Sequence, residues 1–273
     1  MVKNQSPSNN LTISAFQLNS NQDIDQNKQQ ILALIADYKP TTAADVWAFP
    51  ECALFRNLHP TDHQAFLIDD TIIPWFRQLA IKFDKWILVG SFFQQHQHKQ
   101  PTNTSVVINP KGHIVETYDK IHLFDVNVHT TNFSESAMFS AGDSPTTVDI
   151  HAFKCGLSIC FDIRFPELYA HYRKQQCDIL FIPSSFTAST GKLHWHTLCK
   201  ARAIETQCVV IAPNQCGVGS QQTLTYGHSL IVDSLGNIVA EANGDSPEVI
   251  TATISRSSIL NYRQRFPLRH LLL

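Results

Sequence analysis

The stretch Gly156–Tyr169, GLSICFDIRFPELY, constrains this chain more than any other. An apolar run suited to a buried strand ends in a single cysteine, a polar turn follows, and Pro166 opens a helical period. Such a strand-to-helix turn lifts a side chain out of the sheet and leaves the next backbone N–H groups pointing at whatever that side chain attacks. Cys160 is therefore a candidate nucleophile. A lone cysteine also serves as a small buried hydrophobe, so the rest of the chain has to decide between the two.

The same alternation recurs elsewhere. Leu11–Leu18 is strand-like, and Ile31, Leu32, Leu34 and Ile35 predict a helix over Asn27–Tyr38 that Pro40 stops. The strand DVWAF ends at Pro50, with Glu51 next, at the end of a buried strand where α/β sheets commonly keep their chemistry. Asp70 and Thr71 are placed to cap a helix with Pro74 in its first turn and Trp75, Leu79 and Phe83 on one face. Trp86–Phe93 reads as one strand, and Ser105–Ile108 and Ile114–Tyr118 flank an Asn-Pro-Lys-Gly turn as a hairpin that leads to Lys120.

Past Cys160, a helix from Pro166 to about Gln175 precedes the strand Asp178–Ile182, which ends at Pro183. A helix over Leu193–Thr206, a strand over Cys208–Ala212, a hairpin pairing Gly227–Val232 with Ile238–Ala240, and a last strand over Val249–Ile254 complete a mixed α/β pattern. No low-complexity linker divides it. Residues 1–10 read as a disordered tail and 11–273 as a single domain.

With 21 Lys+Arg against 23 Asp+Glu, no broad electrostatic field points to nucleic acid or an anionic membrane. The partner expected is a small molecule. No uncharged apolar run approaches the roughly 20 residues of a spanning helix, and the first ten residues resemble neither a secretory signal nor an Arg-rich transit peptide. Seven cysteines without a CxxC pair, mostly inside apolar stretches, read as reduced thiols and a cytoplasmic location.

Three stretches each place one reactive residue at a strand end: FPECAL with Glu51, YDKIHLF with Lys120 and GLSICFDIRFPEL with Cys160. In this order they resemble the nitrilase, or carbon–nitrogen hydrolase, superfamily, and the resemblance runs from about Leu11 to Phe266. It implies a four-layer αββα sandwich, no cofactor, and Glu51, Lys120 and Cys160 as the catalytic Glu, Lys and Cys. Glu135, in NFSES, matches a second glutamate beside the lysine, and homodimers that pair through the helix after the nucleophile and the C-terminal tail are implied as well. The stretches PSSFTASTGKLHWHTLCKARAIETQC and YGHSLIVDSLG are most similar to the branch of amidases acting on deaminated glutathione and on ω-amides of 2-oxo acids. Three positions depart from the usual pattern: Phe161 stands for Tyr, Asp119 for Arg and Lys200 for Arg. Asp119 adds a negative charge beside Lys120, which makes the pocket less welcoming to an anionic substrate.

Amide hydrolysis needs a nucleophile, a proton shuttle and an oxyanion holder. Cys160 supplies the sulfur, Glu51 is the base, and a protonated Lys120 stabilises the oxyanion together with the backbone N–H of Phe161. Phe186, Thr187, Thr190 and Trp195, past the strand ending at Pro183, are candidate substrate contacts. Other readings stay open. His122 could pair with Cys160 as a Cys–His couple, a nitrilase would act on C≡N instead, and a binding protein could keep the fold without turnover. The pairs His96/His98 and His194/His196 lack an acidic or thiol ligand at local spacing, so no metal is expected. Arg164/Glu167 and Arg202/Glu205, at i, i+3 spacing, are expected to pair structurally.

Overall fold

The computed structural model describes residues 9–56, 64–128, 131–219 and 223–268. Strand β1 (Asn10–Gln17) leads to helix α1 (Ile24–Asp37), which starts three residues before the expected point because Asp23 accepts from the N–H groups of Asp25 and Gln26. Most of the tail expected over 1–10 lies outside the described residues, and Asn10 already pairs with Ser255. Pro40 does not simply stop a helix. It sits in the first turn of a second short helix, α2 (Lys39–Ala43), where its missing N–H costs nothing.

After β2 (Val46–Ala48), α3 (Ile72–Phe83) begins without the predicted side-chain cap, since the Thr71 hydroxyl goes to Asp70 instead. The strand expected over Trp86–Phe93 is two strands, β3 (Trp86–Leu88) and β4 (Phe92–Gln94). Gly90 breaks it at φ +81°, and any Cβ there would lie 2.0 Å from the Pro50 carbonyl oxygen. The predicted hairpin forms as β5 (Thr102–Ile108) and β6 (Ile114–Asp119), its turn closed by Gly112 N–H to Asn109 O.

A hairpin of β7 (Asp125–Val128) and β8 (Thr131–Ser134) precedes β9 (Thr147–Ile150) and β10 (Phe153–Leu157). Then come α4 (Pro166–Lys174), β11 (Ile179–Phe181), α5 (Ala188–Thr206), β12 (Val209–Ala212) and the hairpin β13 (Cys216–Val218) and β14 (Leu224–Tyr226). The chain continues through β15 (Leu230–Val232), β16 (Ile238–Glu241) and β17 (Glu248–Ser255) to α6 (Arg256–Arg265), a polar helix with only Ile259 buried that local periodicity did not reveal.

Beside the two-stranded β7–β8 and β13–β14 hairpins, two large sheets result, ordered β17-β1-β2-β3-β5-β4 with β6 on β5, and β16-β15-β12-β11-β10-β9. Each is built on three parallel strands, β1, β2, β3 in one and β10, β11, β12 in the other, with antiparallel neighbours outside. The period of two in the first sheet sorts its side chains. Ile13, Ala15, Val46, Ala48, Leu88 and Val107 join one core with the second sheet, while Phe16, Trp47, Phe49, Ile87 and Val106 join another with α1 and α3. On the far side of the second sheet lie Tyr169 and Tyr172 of α4 and Trp195 and Cys199 of α5. The layers are therefore α, β, β, α, the sandwich that the resemblance implies. Each large apolar side chain so buried contributes about 1.5–3 kcal/mol.

Gly156 sets the depth of one layer. A Cβ there would meet the Tyr172 ring at 2.7 Å, so α4 packs directly beneath the strand that leads to Cys160. Gly156→Ala is a core overpacking change of the kind that costs about 1–3 kcal/mol.

Candidate active site

The C-terminal ends of β2 and β10 bring together residues 109 positions apart in sequence, Glu51 and Cys160. Cys160 opens a 3-10 turn, Cys160–Arg164, at φ +46°, a left-handed conformation unusual for a residue with a Cβ. Asp162, fully buried, holds that turn: its carboxylate accepts from Ile159 N–H (2.9 Å), Tyr118 O–H (2.7 Å) and His122 N–H (2.9 Å). Glu51 is fixed through its backbone. The Gln215 side-chain amide donates to Glu51 O at 2.9 Å, and the buried Arg56 ties the loop to Ser20 O and Val218 O.

Lys120 follows β6 and reaches both glutamates. Its Nζ donates to Glu51 Oε1 at 3.1 Å and to Glu135 Oε2 at 2.9 Å, with all three residues no more than 5% exposed. Asn103 of β5 donates to the same two carboxylates, at 2.9 and 3.1 Å, and Phe124 N–H donates to Glu135 Oε2 at 2.6 Å. Burial alone would push the ammonium toward losing its proton, but Glu135 and Glu51 outweigh it and hold the Lys120 pKa well above its ordinary value. The lysine is a fixed cation.

Cys160 behaves oppositely. Burial first, and then the Glu51 carboxylate, push its thiol well above the ordinary range, while Lys120 and the nearby Ser185 backbone pull it down. The resting group is a thiol, not a standing thiolate. The arrangement can move a proton between sulfur and carboxylate beside a permanent positive charge. Phe161 N–H lies in the first turn, among the amides that a helix leaves without an intrahelical acceptor.

His122 is engaged elsewhere. Its Nδ1 lies 2.7 Å from Asp162 Oδ1 and its ring stacks on Phe165, whereas the groups that act most strongly on Cys160 are Glu51, Lys120 and Ser185. Asp119 turns away from Lys120. Its carboxylate accepts from the Thr104 hydroxyl at 2.6 Å and lies 4.0 Å from Lys99, so the charge expected to trouble an anionic substrate is met on the other face of the strand.

Among the residues past Pro183, Phe186 packs on Trp195, which is fully buried and donates its indole N–H to His228 O at 2.7 Å. The hydroxyls of Thr187 and Thr190 bond each other at 2.7 Å at the start of α5. The pairs HxH do not act as pairs: His96 bonds Thr102, His194 faces Arg164 and His196 faces Glu241. Arg202 pairs with Glu205 as expected, at 2.6 Å.

Arg164 does something different from the expected pairing with Glu167. Its guanidinium lies over the rings of Phe161 (5.8 Å) and Phe186 (5.2 Å) and is half-buried, which lowers its pKa, with the Cys160 sulfur near enough to counter that once ionised. Sequence reasoning also missed Asn103 and Asp162 as supports of the site. The available signal for Asn103 was its place in Thr102–Ser105, a polar run inside a strand that proves buried throughout.

A carbon–nitrogen hydrolase family model matches residues 12–264. The deaminated glutathione amidase of Synechocystis sp. is 38% identical over 260 residues, 93% of this chain and 95% of that one. Omega-amidase NIT3 of Saccharomyces cerevisiae is 37% identical over 201 residues, 72% of this chain and 68% of that one. The crystal structure of Saccharomyces cerevisiae Nit3, a member of branch 10 of the nitrilase superfamily, superposes with a TM-score of 0.82 at 29% identity over 97% of both chains. With a family match over nearly its whole length, and the order of strands and strand-end residues just described, the chain belongs to the carbon–nitrogen hydrolase family.

Proposed function

We propose that the chain is an amidase that hydrolyses the C–N bond of a small linear amide through a thioester on Cys160. The observation that carries this reading is the buried triad in which the Lys120 ammonium bonds Glu51 at 3.1 Å and both charges act on the Cys160 thiol. Glu51 takes the thiol proton as sulfur attacks the carbonyl carbon, and the oxyanion forms against Lys120 and Phe161 N–H. Glu51 then protonates the nitrogen, the C–N bond breaks, and ammonia or an amine leaves. Water, deprotonated by Glu51, attacks the thioester, and the C–S bond breaks to release the carboxylate and restore the thiol. Glu135 and Asn103 act by positioning Lys120 and Glu51.

The substrate class is an acidic amide, either deaminated glutathione or an ω-amide of a 2-oxo acid. The names of the similar amidases support this, and so does Arg164, a cation held on an aromatic floor beside the sulfur. A charge-assisted hydrogen bond from it to a substrate carboxylate is worth about 1.5–3 kcal/mol, roughly 10- to 150-fold in binding. Arg164→Ala is therefore expected to raise KM at least about tenfold for an ω-amide of a 2-oxo acid and less than about threefold for a neutral short amide, with kcat little changed. Ammonia release over both amides and simple nitriles tests this. Equal losses on both amides would remove the acidic-substrate reading, and faster turnover of nitriles would replace it with nitrilase activity.

The chain is further read as one domain over 11–273, in the cytoplasm, forming at least a homodimer. All seven cysteines are free thiols, and no helix among the described residues is long and apolar enough to cross a membrane. Leu260 and Phe266, exposed on and just after α6, offer apolar surface next to the tail, whose residues 269–273 lie outside the described residues. Light scattering at micromolar concentration should give twice the chain mass or more, and a stable monomer would refute the pairing.

A further inference from the structure

On the flank of α5, three donor atoms from three elements converge. Glu241 Oε1, at the end of β16, lies 3.0 Å from His196 Nε2 on α5 and 2.9 Å from His228 Nδ1 in the segment before β15. All three atoms lie within 4.8 Å of one another, and the side chains are about one-third exposed. Both imidazoles address the same carboxylate oxygen, so the donors outline one face of a small polyhedron.

We propose that His196, His228 and Glu241 form a binding site for a divalent transition metal, with zinc the best match. Two imidazole nitrogens and one carboxylate oxygen are a zinc donor set, and the exposed side leaves the fourth position to water. Metal–ligand bonds of about 2.0–2.1 Å at tetrahedral angles put neighbouring donors about 3.3 Å apart, close to the spacing already present around Glu241. A cation there takes the nitrogen lone pairs, and the N–H protons now on Glu241 move to the far ring nitrogens or to solvent.

The site is held in place before any metal arrives. Trp195 N–H fixes the His228 carbonyl at 2.7 Å, the Tyr226 ring lies 4.5 Å from the His228 ring, and Gly244 leaves the space into which His228 Nε2 fits, 2.6 Å from where a Cβ would stand. His194, two residues from His196, is excluded because its Nδ1 faces Arg164 at 3.3 Å. The ion would tie α5 to the edge of the second sheet, behind the Phe186 and Trp195 wall.

Zinc titration of the full-length chain by calorimetry tests the site, with Cys160→Ala as background so that the active-site sulfur does not compete. The expected result is one equivalent bound at micromolar or tighter Kd, with the unfolding temperature rising by several degrees at about a hundredfold excess over Kd. His196→Ala and Glu241→Gln should each weaken binding at least about tenfold, given that even outer-shell changes cost about 10- to 100-fold. Glu241→Gln preserves the side-chain shape and keeps the test valid if His196→Ala fails to fold. Absence of saturable binding below millimolar zinc, or unchanged affinity in either folded variant, would overturn the site and leave a hydrogen-bonded His–Glu–His clasp.

Discussion

Cys160→Ala is expected to abolish ammonia release while the protein stays folded. The substitution removes one sulfur at a position that is 9% exposed and leaves the turn, held by Asp162, unchanged. Removing the nucleophile of a hydrolase costs about 10⁶ in kcat, so no turnover should be detectable, with far-ultraviolet circular dichroism preserved. Glu51→Gln should be nearly as inactive for a different reason. It takes away the base and also the negative charge that adds to burial in raising the thiol pKa, while Lys120 still lowers it, so Cys160 remains open to iodoacetamide. Mass spectrometry of the alkylated Glu51→Gln variant separates the two roles. A Cys160→Ala protein that releases ammonia at the wild-type rate would remove the thioester mechanism.

Lys120→Ala is expected to fail in both activity and stability. Loss of one oxyanion donor costs about 2.7–4 kcal/mol of barrier. The structural cost is separate, because Glu51 and Glu135 are left buried without their shared cation, and breaking a buried pair this way costs about 3–5 kcal/mol. In the wild type the folded lysine pKa is raised, so its contribution is fully present below the ordinary value of 10.5 and is lost only as pH rises through the higher folded value. The variant reverses this. Two buried like charges raise their own affinity for protons above that of the unfolded chain, so Lys120→Ala should regain stability relative to wild type as pH falls from about 8 to about 5. Urea unfolding at both pH values measures it. A difference that stays constant or widens toward low pH would show that the two carboxylates do not depend on this ammonium.

Much of the layered architecture was legible in the sequence because strand and helix patterns are local. A run such as DVWAF, ended by a proline, declares a buried strand whatever it packs against, and Glu51, Lys120 and Cys160 stand out as reactive residues at such ends. The local rule failed where a distant group intervened. The break at Gly90 answers the carbonyl of Pro50, and the direction of Asp119 follows its bond to Thr104 on the neighbouring strand.

Only the tertiary structure decided which polar side chains share a site. Asn103 meets Glu51 across 52 residues and Glu135 across 32, Arg164 lies on Phe186 rather than beside Glu167, and His196 finds Glu241 45 residues away. Periodicity reports which face of an element is apolar, and it carries no information on what that face meets. The face that carries a polar group is set by its own strand or helix, but its partner is set by how two sheets and their helices stack. That stacking is determined by the summed burial of side chains such as Trp47, Phe153 and Tyr172, none of which belongs to the motifs that announce the chemistry.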